Sequence, residues 1–338
     1  MLLKIVHETE LAYDEAIAES VVELRMFPRQ EEHQHRLSFE LKLAPFSTVN
    51  SYFDWLGNTV HTFTVNNVHD SIRIVASTVV ETEQPPYTPL ELPDTWPLPA
   101  TNDYKLYDYL QFGGPIAPSP ELAELTNELY PFDGIPMGEL GHRMVNLINT
   151  RFEYQTGITN AASPVTDLLK HRKGVCQDFT HLMVAMARSM KIPARYVSGL
   201  LHGGEEFGNL RGYTQTHAWC ELYFPSTGWV GFDPTNSCFV GENFVKIAVG
   251  RDYADVPPNK GLYRGTAKEK INVAVDTKSL DHIPNDLFPE KVAPLTSDKP
   301  TPAPLPHRRF EGHQQEHAQQ QQQEKSPLIQ QQQQQQQQ

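Results

Sequence analysis

GVCQDFTHLMVAMARSM, residues 174–190, is the segment that best predicts how this chain is organised. After Gly174 the apolar residues recur at the spacing of one helical face, and they are Val175, Phe179, Leu182, Met183, Met186 and Met190. This pattern predicts a helix that ends before Pro193 and has Cys176 at or just inside its N-terminus. The free N–H groups and the dipole at such a position stabilise a thiolate and can form half of an oxyanion hole. Cys176 is therefore a candidate nucleophile, although a buried structural cysteine is the common alternative for a single thiol.

Two predicted strands follow this helix, with the sequences THAWCELYF at 216–224 and GWVGFDP at 228–234. Because side chains alternate along a strand, His217 and Trp219 share one face of the first strand and Cys220 lies on the other. We therefore predict that Cys220 is a core residue. Cys238 follows the second strand, and we assign it no role.

The connection between these strands determines whether Asp233 can meet His217. Across a four-residue loop Asp233 would face away from His217, so the connection needs an odd residue count or a bulge. A five-residue loop, Phe224 to Gly228, would place Asp233 opposite Trp219. His217 would then be its diagonal neighbour, about 7–8 Å away between backbones, which side chains can bridge.

A thiol, an imidazole and a carboxylate in this order are the parts of a cysteine nucleophile that is activated by an oriented base. Taken singly, His217 could be a hydrogen-bonded histidine on a half-buried strand, and Asp233-Pro234 could be a strand-ending turn. Their combination with Cys176 at a helix N-terminus favours one site over three unrelated residues.

The composition of the other segments divides the chain into four parts. Residues 1–84 contain short runs rich in Val, Ile, Thr and Phe between turn residues, which predict a small all-β sandwich. Residues 85–118 are rich in proline and predict a linker, and residues 119–288 predict the α+β unit that carries the chemistry. Residues 289–338 are rich in Pro, His and Gln and predict a disordered tail. Its histidines (His307, His313 and His317) could bind a metal loosely, but a solvated tail is the simpler explanation, and we predict no metal site and no cofactor.

The overall charge and the cysteine count exclude several classes of protein. A net charge of -13 argues against a nucleic-acid partner and against attraction to anionic membranes. No stretch approaches the roughly 20 apolar residues of a membrane helix, and the N-terminus does not resemble a signal peptide. Three cysteines in 338 residues do not make a disulfide framework. These observations predict a cytoplasmic protein.

Three segments, 174–187, 216–224 and 228–235, resemble the core motifs of the transglutaminase-like superfamily. The order Cys, His, Asp matches, as do the His-Ala-Trp strand and the Gly-Trp-x-x-Phe-Asp-Pro strand. LRMFPR at 24–29 and Gly57-Asn58 are similar to the N-terminal region of the bacterial branch of that superfamily, and so is VGRDYADVPP at 249–258. The resemblance spans roughly residues 1 to 265.

The resemblance implies an α+β, papain-like core in which a nucleophile helix packs on an antiparallel sheet. It implies that Cys176 is the nucleophile, His217 the general base and acid, and Asp233 the residue that orients His217. The superfamily includes protein-crosslinking transglutaminases, cysteine peptidases and amidases. The chain departs from animal transglutaminases, because Gln177 replaces the tryptophan that follows their nucleophile and no EF-hand type acidic loop is present. Their upstream tryptophan, the second oxyanion donor, has no clear match, and Tyr154 or Gln155 is the candidate here.

These features predict an enzyme that acts on a protein or peptide through a thioester on Cys176. The short chain and the lack of calcium loops favour a cysteine peptidase or amidase that cleaves peptide or isopeptide bonds. Transfer to an amine, as in a protein-glutamine transglutaminase, is the alternative, and a non-catalytic scaffold is disfavoured because all three triad residues are present. The candidate substrate contacts outside the triad are Trp219, Arg251, Asp252, Tyr253 and Asp255. For the last four, a structural turn tied by salt bridges explains the sequence equally well.

Overall fold

Two sheets pack face to face at the start of the chain in this computed structural model, which describes residues 1–129, 133–203 and 210–295. The strands are β1 (Leu2–Ile17), β2 (Glu19–Leu24), β3 (Gln34–Ala44), β4 (Val49–Phe53), β5 (Thr59–Val65) and β6 (His69–Thr82). One sheet contains β1, β6 and β3, and the other contains β2, β5 and β4. Alternate residues such as Phe39, Leu41 and Phe63 are buried between them, so the predicted sandwich-like unit is confirmed.

The last described strands return to these same two sheets. β16 (Asn259–Arg264) pairs with β2, β17 (Glu269–Ser279) pairs with β1, and β18 (Lys291–Pro294) runs parallel to β3. We call β1–β6 together with β16–β18 the sandwich unit. The predicted boundaries at 84, 118 and 288 stay predictions, but the pairing adds residues 259–294 to the N-terminal sheets. The predicted disordered tail, 289–338, thus contains a strand of four residues, 291–294. From 296 onward the tail, including its three histidines, lies outside the described residues.

Short elements cover the proline-rich segment and lead into the second unit. They are the 3₁₀ turns Pro89–Glu91 and Asp108–Leu110, β7 (Thr95–Trp96), α1 (Tyr104–Tyr107), α2 (Pro120–Asn127) and β8 (Ile135–Pro136). The segment predicted as a linker is therefore fixed in place at several points. Trp96, for example, donates its indole N–H to the carbonyl of Met190 at 3.0 Å.

Helices and a third sheet form the rest of the molecule, which we call the helix–sheet unit. Its elements are α3 (Met137–Arg151), β9 (Glu153–Tyr154), α4 (Val165–His171), β10 (Lys173–Gly174), α5 (Cys176–Ser189), β11 (Ala194–Leu201), β12 (Thr216–Phe224), β13 (Gly228–Asp233), β14 (Cys238–Phe239) and β15 (Phe244–Gly250). The sheet order is β14-β13-β12-β11-β15, and its neighbours are antiparallel. Apolar residues of α5 pack on Cys220, Leu222 and Phe224, so Cys220 occupies the core as predicted.

Two side-chain amides join the sandwich unit to the open edge of the third sheet, which is β15. Asn58 donates to the carbonyl of Val249 at 2.9 Å and accepts from the N–H of Val249 at 2.8 Å. Gln34 pairs with the backbone of Lys246 in the same way, at 2.8 Å and 2.7 Å. Each amide thus takes the place of the backbone of a neighbouring strand. This gives Asn58 of the Gly57-Asn58 motif a role in joining the two units.

Across the described parts of the chain, every helix is too short or too polar to pass through a membrane.

Candidate active site

Cys176 is the first residue of α5, where the sequence pattern places it. The carboxylate of Asp178 accepts hydrogen bonds from the N–H of Val175 at 2.8 Å and from the hydroxyl of Thr159 at 2.6 Å. Burial raises the pKa of Asp178, while these two hydrogen bonds act in the opposite direction. Asp178 therefore fixes the start of the helix, and Cys176 stays partly exposed there.

The register of β12 and β13 brings Asp233 to His217. Phe224 pairs with Gly228, and Cys220 pairs with Phe232, which is the register of the predicted five-residue loop. His217 Nε2 and Asp233 Oδ2 are 2.7 Å apart, and both side chains are 0% exposed. The buried pair forms because the odd connection turns both side chains toward the same face.

The charges around His217 favour its protonated form. Burial acts to lower the pKa of His217, but the Asp233 carboxylate and the Cys176 thiolate outweigh it and raise this pKa to about 10. Nε2 of His217 is bound to Asp233, which leaves Nδ1 as the ring nitrogen that can interact with Cys176. Among the described residues, Nδ1 has no hydrogen-bond partner of standard geometry. The arrangement places an imidazole whose protonated form is favoured next to the sulfur of Cys176.

A hydrogen-bonded turn holds Asp233 from the other side. Its Oδ2 accepts from Asn236 Nδ2 at 2.7 Å, and its Oδ1 accepts from the N–H of Thr235 at 2.8 Å. Asn236 also pairs with the backbone of Arg211, accepting from its N–H at 2.7 Å and donating to its carbonyl at 3.1 Å. Asn236 therefore ties the segment before β12 to the carboxylate that contacts His217.

Gly212 lies directly against the imidazole ring. Its φ is +93°, and a Cβ at this position would come within 2.5 Å of His217 Nδ1. Any other residue would strain the backbone and collide with the ring, so the close approach of segment 211–212 to His217 requires glycine.

Tyr154 borders the thiol, because β9 runs parallel to β10 with Tyr154 paired to Gly174. Burial raises the pKa of Tyr154, the Cys176 thiolate raises it further, and Arg211 opposes both. The guanidinium carbon of Arg211 lies 5.1 Å from the centre of the Tyr154 ring. The role of Tyr154 as oxyanion donor stays a prediction that this position permits. The side chain of Gln155, the other candidate, accepts a hydrogen bond from Lys173 at 2.7 Å.

Trp219 does not lie where a substrate could reach it. Its side chain is 0% exposed and packs edge-on against Phe244, with ring centres 5.3 Å apart. The ring of His217 is 6.4 Å away. The predicted substrate contact therefore needs correction, because this side chain forms part of the wall behind His217.

The segment 251–255 is a turn tied by salt bridges. Arg251 holds Asp255 through Nε at 2.9 Å and Nη2 at 3.0 Å, and the side chain of Asp252 accepts from the N–H of Ala254 at 2.8 Å. The N–H of Tyr253 donates to His181 Nε2 at 3.1 Å. These contacts match the structural alternative. Tyr253 belongs to an apolar cluster against which Cys176 packs, whereas a substrate contact of the charged residues stays a prediction.

Three residues of this site were missed in the sequence, namely Arg211, Gly212 and Asn236. Asn236 stands three residues after Asp233, a spacing at which an amide can return to a carboxylate across a turn. No local pattern signals Arg211 or Gly212, because their neighbours come from β9, β12 and the turn after β13. Within the three described ranges, no group of three or more His, Cys, Asp or Glu side chains is arranged to hold a metal ion.

Comparison with known proteins gives consistent results. Residues 135–234 match the transglutaminase-like superfamily, and residues 3–81 match the bacterial transglutaminase-like N-terminal region. An uncharacterized protein of Mycobacterium leprae is 30% identical over 285 residues, which cover 82% of this chain and 99% of that protein. A protein-glutamine gamma-glutamyltransferase of Pseudomonas aeruginosa is 30% identical over 167 residues, 45% of this chain and 24% of that protein. A crystal structure from Cytophaga hutchinsonii, described as a candidate cysteine protease, has the same fold, with a TM-score of 0.63, 22% identity and coverage of 85% and 94%.

Proposed function

The chain belongs to the transglutaminase-like superfamily, and on that premise we propose that it is a thiol-dependent acyl-transfer enzyme that hydrolyses peptide or isopeptide bonds. One observation carries the proposal, which is the buried His217–Asp233 pair beside a partly exposed cysteine at a helix N-terminus. Burial of both partners is what an oriented base requires, since water would otherwise compete for the carboxylate.

The proposed reaction begins with the proton of the Cys176 thiol on His217 and the sulfur as thiolate. The sulfur attacks the carbonyl carbon of the substrate, and the backbone N–H of Cys176 together with the hydroxyl of Tyr154 stabilises the oxyanion. Collapse of this intermediate breaks the C–N bond, and His217 donates its proton to the leaving amine. A water molecule then gives a proton to His217 and attacks the thioester, which releases the acid and restores the thiol.

Transfer to an amine is the second candidate. The observation in its favour is the similarity over 167 residues to the Pseudomonas aeruginosa protein that is named a protein-glutamine gamma-glutamyltransferase. The two reactions share every step up to the thioester and differ only in whether water or a lysine-like amine accepts the acyl group.

The test compares the wild type with Cys176→Ala and with Cys238→Ala, which removes the partly buried thiol of the residue paired with Asp233 on β14. Each protein is incubated with casein, with and without a fluorescent primary amine. We expect fragments from the wild type and Cys238→Ala, and a loss of roughly a thousandfold or more in Cys176→Ala. Incorporation of the amine without fragments would show that the enzyme transfers the acyl group to amines and does not hydrolyse the bond. Identical traces for wild type and Cys176→Ala would exclude both activities.

A further inference from the structure

Arg211 is an exposed cation at the border of the proposed acyl site. Its guanidinium carbon lies 5.1 Å from the centre of the Tyr154 ring. Tyr154 in turn lies close enough to Cys176 for the charge of a thiolate there to raise the pKa of Tyr154. Among the described residues Arg211 forms no ion pair, and its side chain is exposed. The other charges around Tyr154 are carboxylates, Asp178 and Asp233, and both are already hydrogen-bonded.

The backbone of Arg211 is fixed rather than loosely attached. Asn236 holds its N–H and its carbonyl at 2.7 Å and 3.1 Å and binds Asp233 with the same amide. The guanidinium carbon lies over the Tyr154 ring, and a guanidinium over a ring face can still donate hydrogen bonds from its edge. Such a preorganised fork suits a carboxylate, which it can bind through two parallel hydrogen bonds.

We propose that Arg211 anchors a carboxylate of the acyl donor, so that the substrates are acidic peptides with a glutamate or aspartate side chain, or a free α-carboxylate, next to the cleaved bond. This inference rests on the proposed function. The role of Arg211 in it is to select substrates. The bond to be broken lies at Cys176, whereas the carboxylate of the substrate lies above Tyr154, within reach of Arg211. On a chain with a net charge of -13, a local cation is needed to bring an acidic substrate to the thiol.

The first test needs no substrate and no turnover. Iodoacetate and iodoacetamide have nearly the same shape, but only iodoacetate carries a carboxylate. With both reagents the Cys176 sulfur forms a bond to the methylene carbon, and iodide leaves with the electron pair of the C–I bond. The rate is followed by mass spectrometry of the peptide that contains Cys176. Cys220 is fully buried, and burial raises the pKa of Cys238 to about 12, so neither thiol competes near neutral pH.

The measured quantity is the ratio of the iodoacetate rate to the iodoacetamide rate. We expect Arg211→Gln to lower this ratio by about fivefold and expect the wild-type ratio to fall with added salt. Arg172→Gln is the matched control, because Arg172 is also exposed and stacks on an aromatic ring, Phe152, at 5.0 Å. The His217 ring is present in all three proteins, so its attraction for iodoacetate cancels. An unchanged ratio in Arg211→Gln would overturn the proposal.

The second test uses peptide pairs that differ only by Glu or Gln at each position flanking the cleaved bond. We expect the wild type to prefer Glu at one position by about tenfold or more in kcat/KM, and Arg211→Gln to lose that preference. Tyr154→Phe keeps the ring and should keep the preference while kcat falls. An equal loss for Glu and Gln peptides in Arg211→Gln would show that Arg211 acts only through Tyr154, against the proposal. If no peptide is turned over but the alkylation ratio depends on Arg211, the proposed function fails and the carboxylate site stands.

Discussion

Asn236 connects the carboxylate of Asp233 to the backbone of Arg211 with a single side chain. Asp233 Oδ2 therefore has two hydrogen-bond partners at 2.7 Å, the imidazole of His217 and the amide of Asn236. The amide fixes the plane of the carboxylate, and the carboxylate fixes the ring. Under the proposed function, Asn236 is thus a positioning residue that would act on the chemistry through Asp233.

We expect Asn236→Ala to lower kcat by roughly 10- to 100-fold with little change in KM, because small displacements of a catalytic group cost about this much. Asn149→Ala is the control, since Asn149 supports the same turn through the carbonyls of Pro234 and Thr235 at 3.2 Å and 3.3 Å and does not touch the carboxylate. Steady-state kinetics with thermal unfolding of both variants distinguishes the two roles. An equal loss of kcat in Asn149→Ala would show that Asn236 only supports the turn and does not act through the Asp233 carboxylate.

The His217–Asp233 pair also predicts a pH dependence of stability. The folded state raises the pKa of His217 to about 10, above the value of 6.5 for an unperturbed histidine. Between these values the folded chain holds a proton that the unfolded chain has lost, so this contribution is complete below about pH 6.5 and disappears as the pH rises toward 10.

We therefore expect the free energy of unfolding to fall as the pH rises above about 6.5, with a slope of at most about 1.4 kcal/mol per pH unit. In a variant without Cys176 the Asp233 carboxylate alone raises the pKa of His217, so the window there ends below pH 10. The comparison is between Cys176→Ala and Cys176→Ala/His217→Gln, because removing the thiol removes its own titration. Urea unfolding is measured from about pH 6 to pH 10. If the difference between the two proteins does not vary with pH, the imidazolium is not the form that the fold stabilises.

Helix α5 is fixed at both ends by buried charged groups. Asp178 holds its first turn, and Arg188 in its last turn is 2% exposed. Arg188 donates to carbonyls of four residues, Tyr109, Gln111, Ala194 and Arg251. Burial lowers the pKa of Arg188 to about 10, which leaves it charged at neutral pH. One side chain therefore attaches the helix that carries Cys176 to the start of β11 and to two distant segments of the chain.

Replacing Arg188 by Met should lower the free energy of unfolding by at least about 3 kcal/mol, because the carbonyls of four residues lose the hydrogen bonds that Arg188 donates. Arg143→Met, in which an exposed pair with Glu139 on α3 is lost, should cost less than about 0.5 kcal/mol. Urea unfolding of the two variants provides the comparison. Similar values for both would mean that the carbonyls find other donors when Arg188 is absent.

Local patterns in the sequence predicted α5, the register of β12 and β13, and the core position of Cys220, because each depends on a short repeat or on a loop of a few residues. They did not predict that β17 pairs with β1, whose partners Tyr13 and Glu269 are 256 residues apart in the chain. Strand partners at such distances are selected by tertiary packing, which a linear pattern does not encode. The same limit explains why Trp219 was mistaken for a substrate contact, since its burial depends on Phe244 of β15.

The first and the last described strands of the chain belong to the same unit. The chain begins in the sandwich unit, passes through the helix–sheet unit and returns to complete both sheets of the sandwich. β17 alone pairs with eleven residues of β1, from Leu3 to Tyr13. The two sheets of the sandwich unit are therefore complete only when β16, β17 and β18, which follow the helix–sheet unit in the chain, are in place.

This topology predicts opposite results for two truncations. A chain that ends after Leu295 should keep its melting temperature within about 2 °C and keep its activity, because every strand and site residue described here precedes this point. A chain that ends after Pro258 loses β16, β17 and β18 and should not unfold cooperatively. Thermal unfolding followed by circular dichroism tests both. A cooperative transition at the same temperature in the shorter chain would contradict the role of the returning strands.

The amides of Asn58 and Gln34 have a consequence for solubility. An uncovered β15 would offer its free N–H and carbonyl groups to a strand of another molecule, which is how sheets aggregate. In the folded chain the amides of Asn58 and Gln34 occupy these groups at Val249 and Lys246. The helix–sheet unit produced without the sandwich unit is therefore expected to self-associate through the uncovered edge of β15.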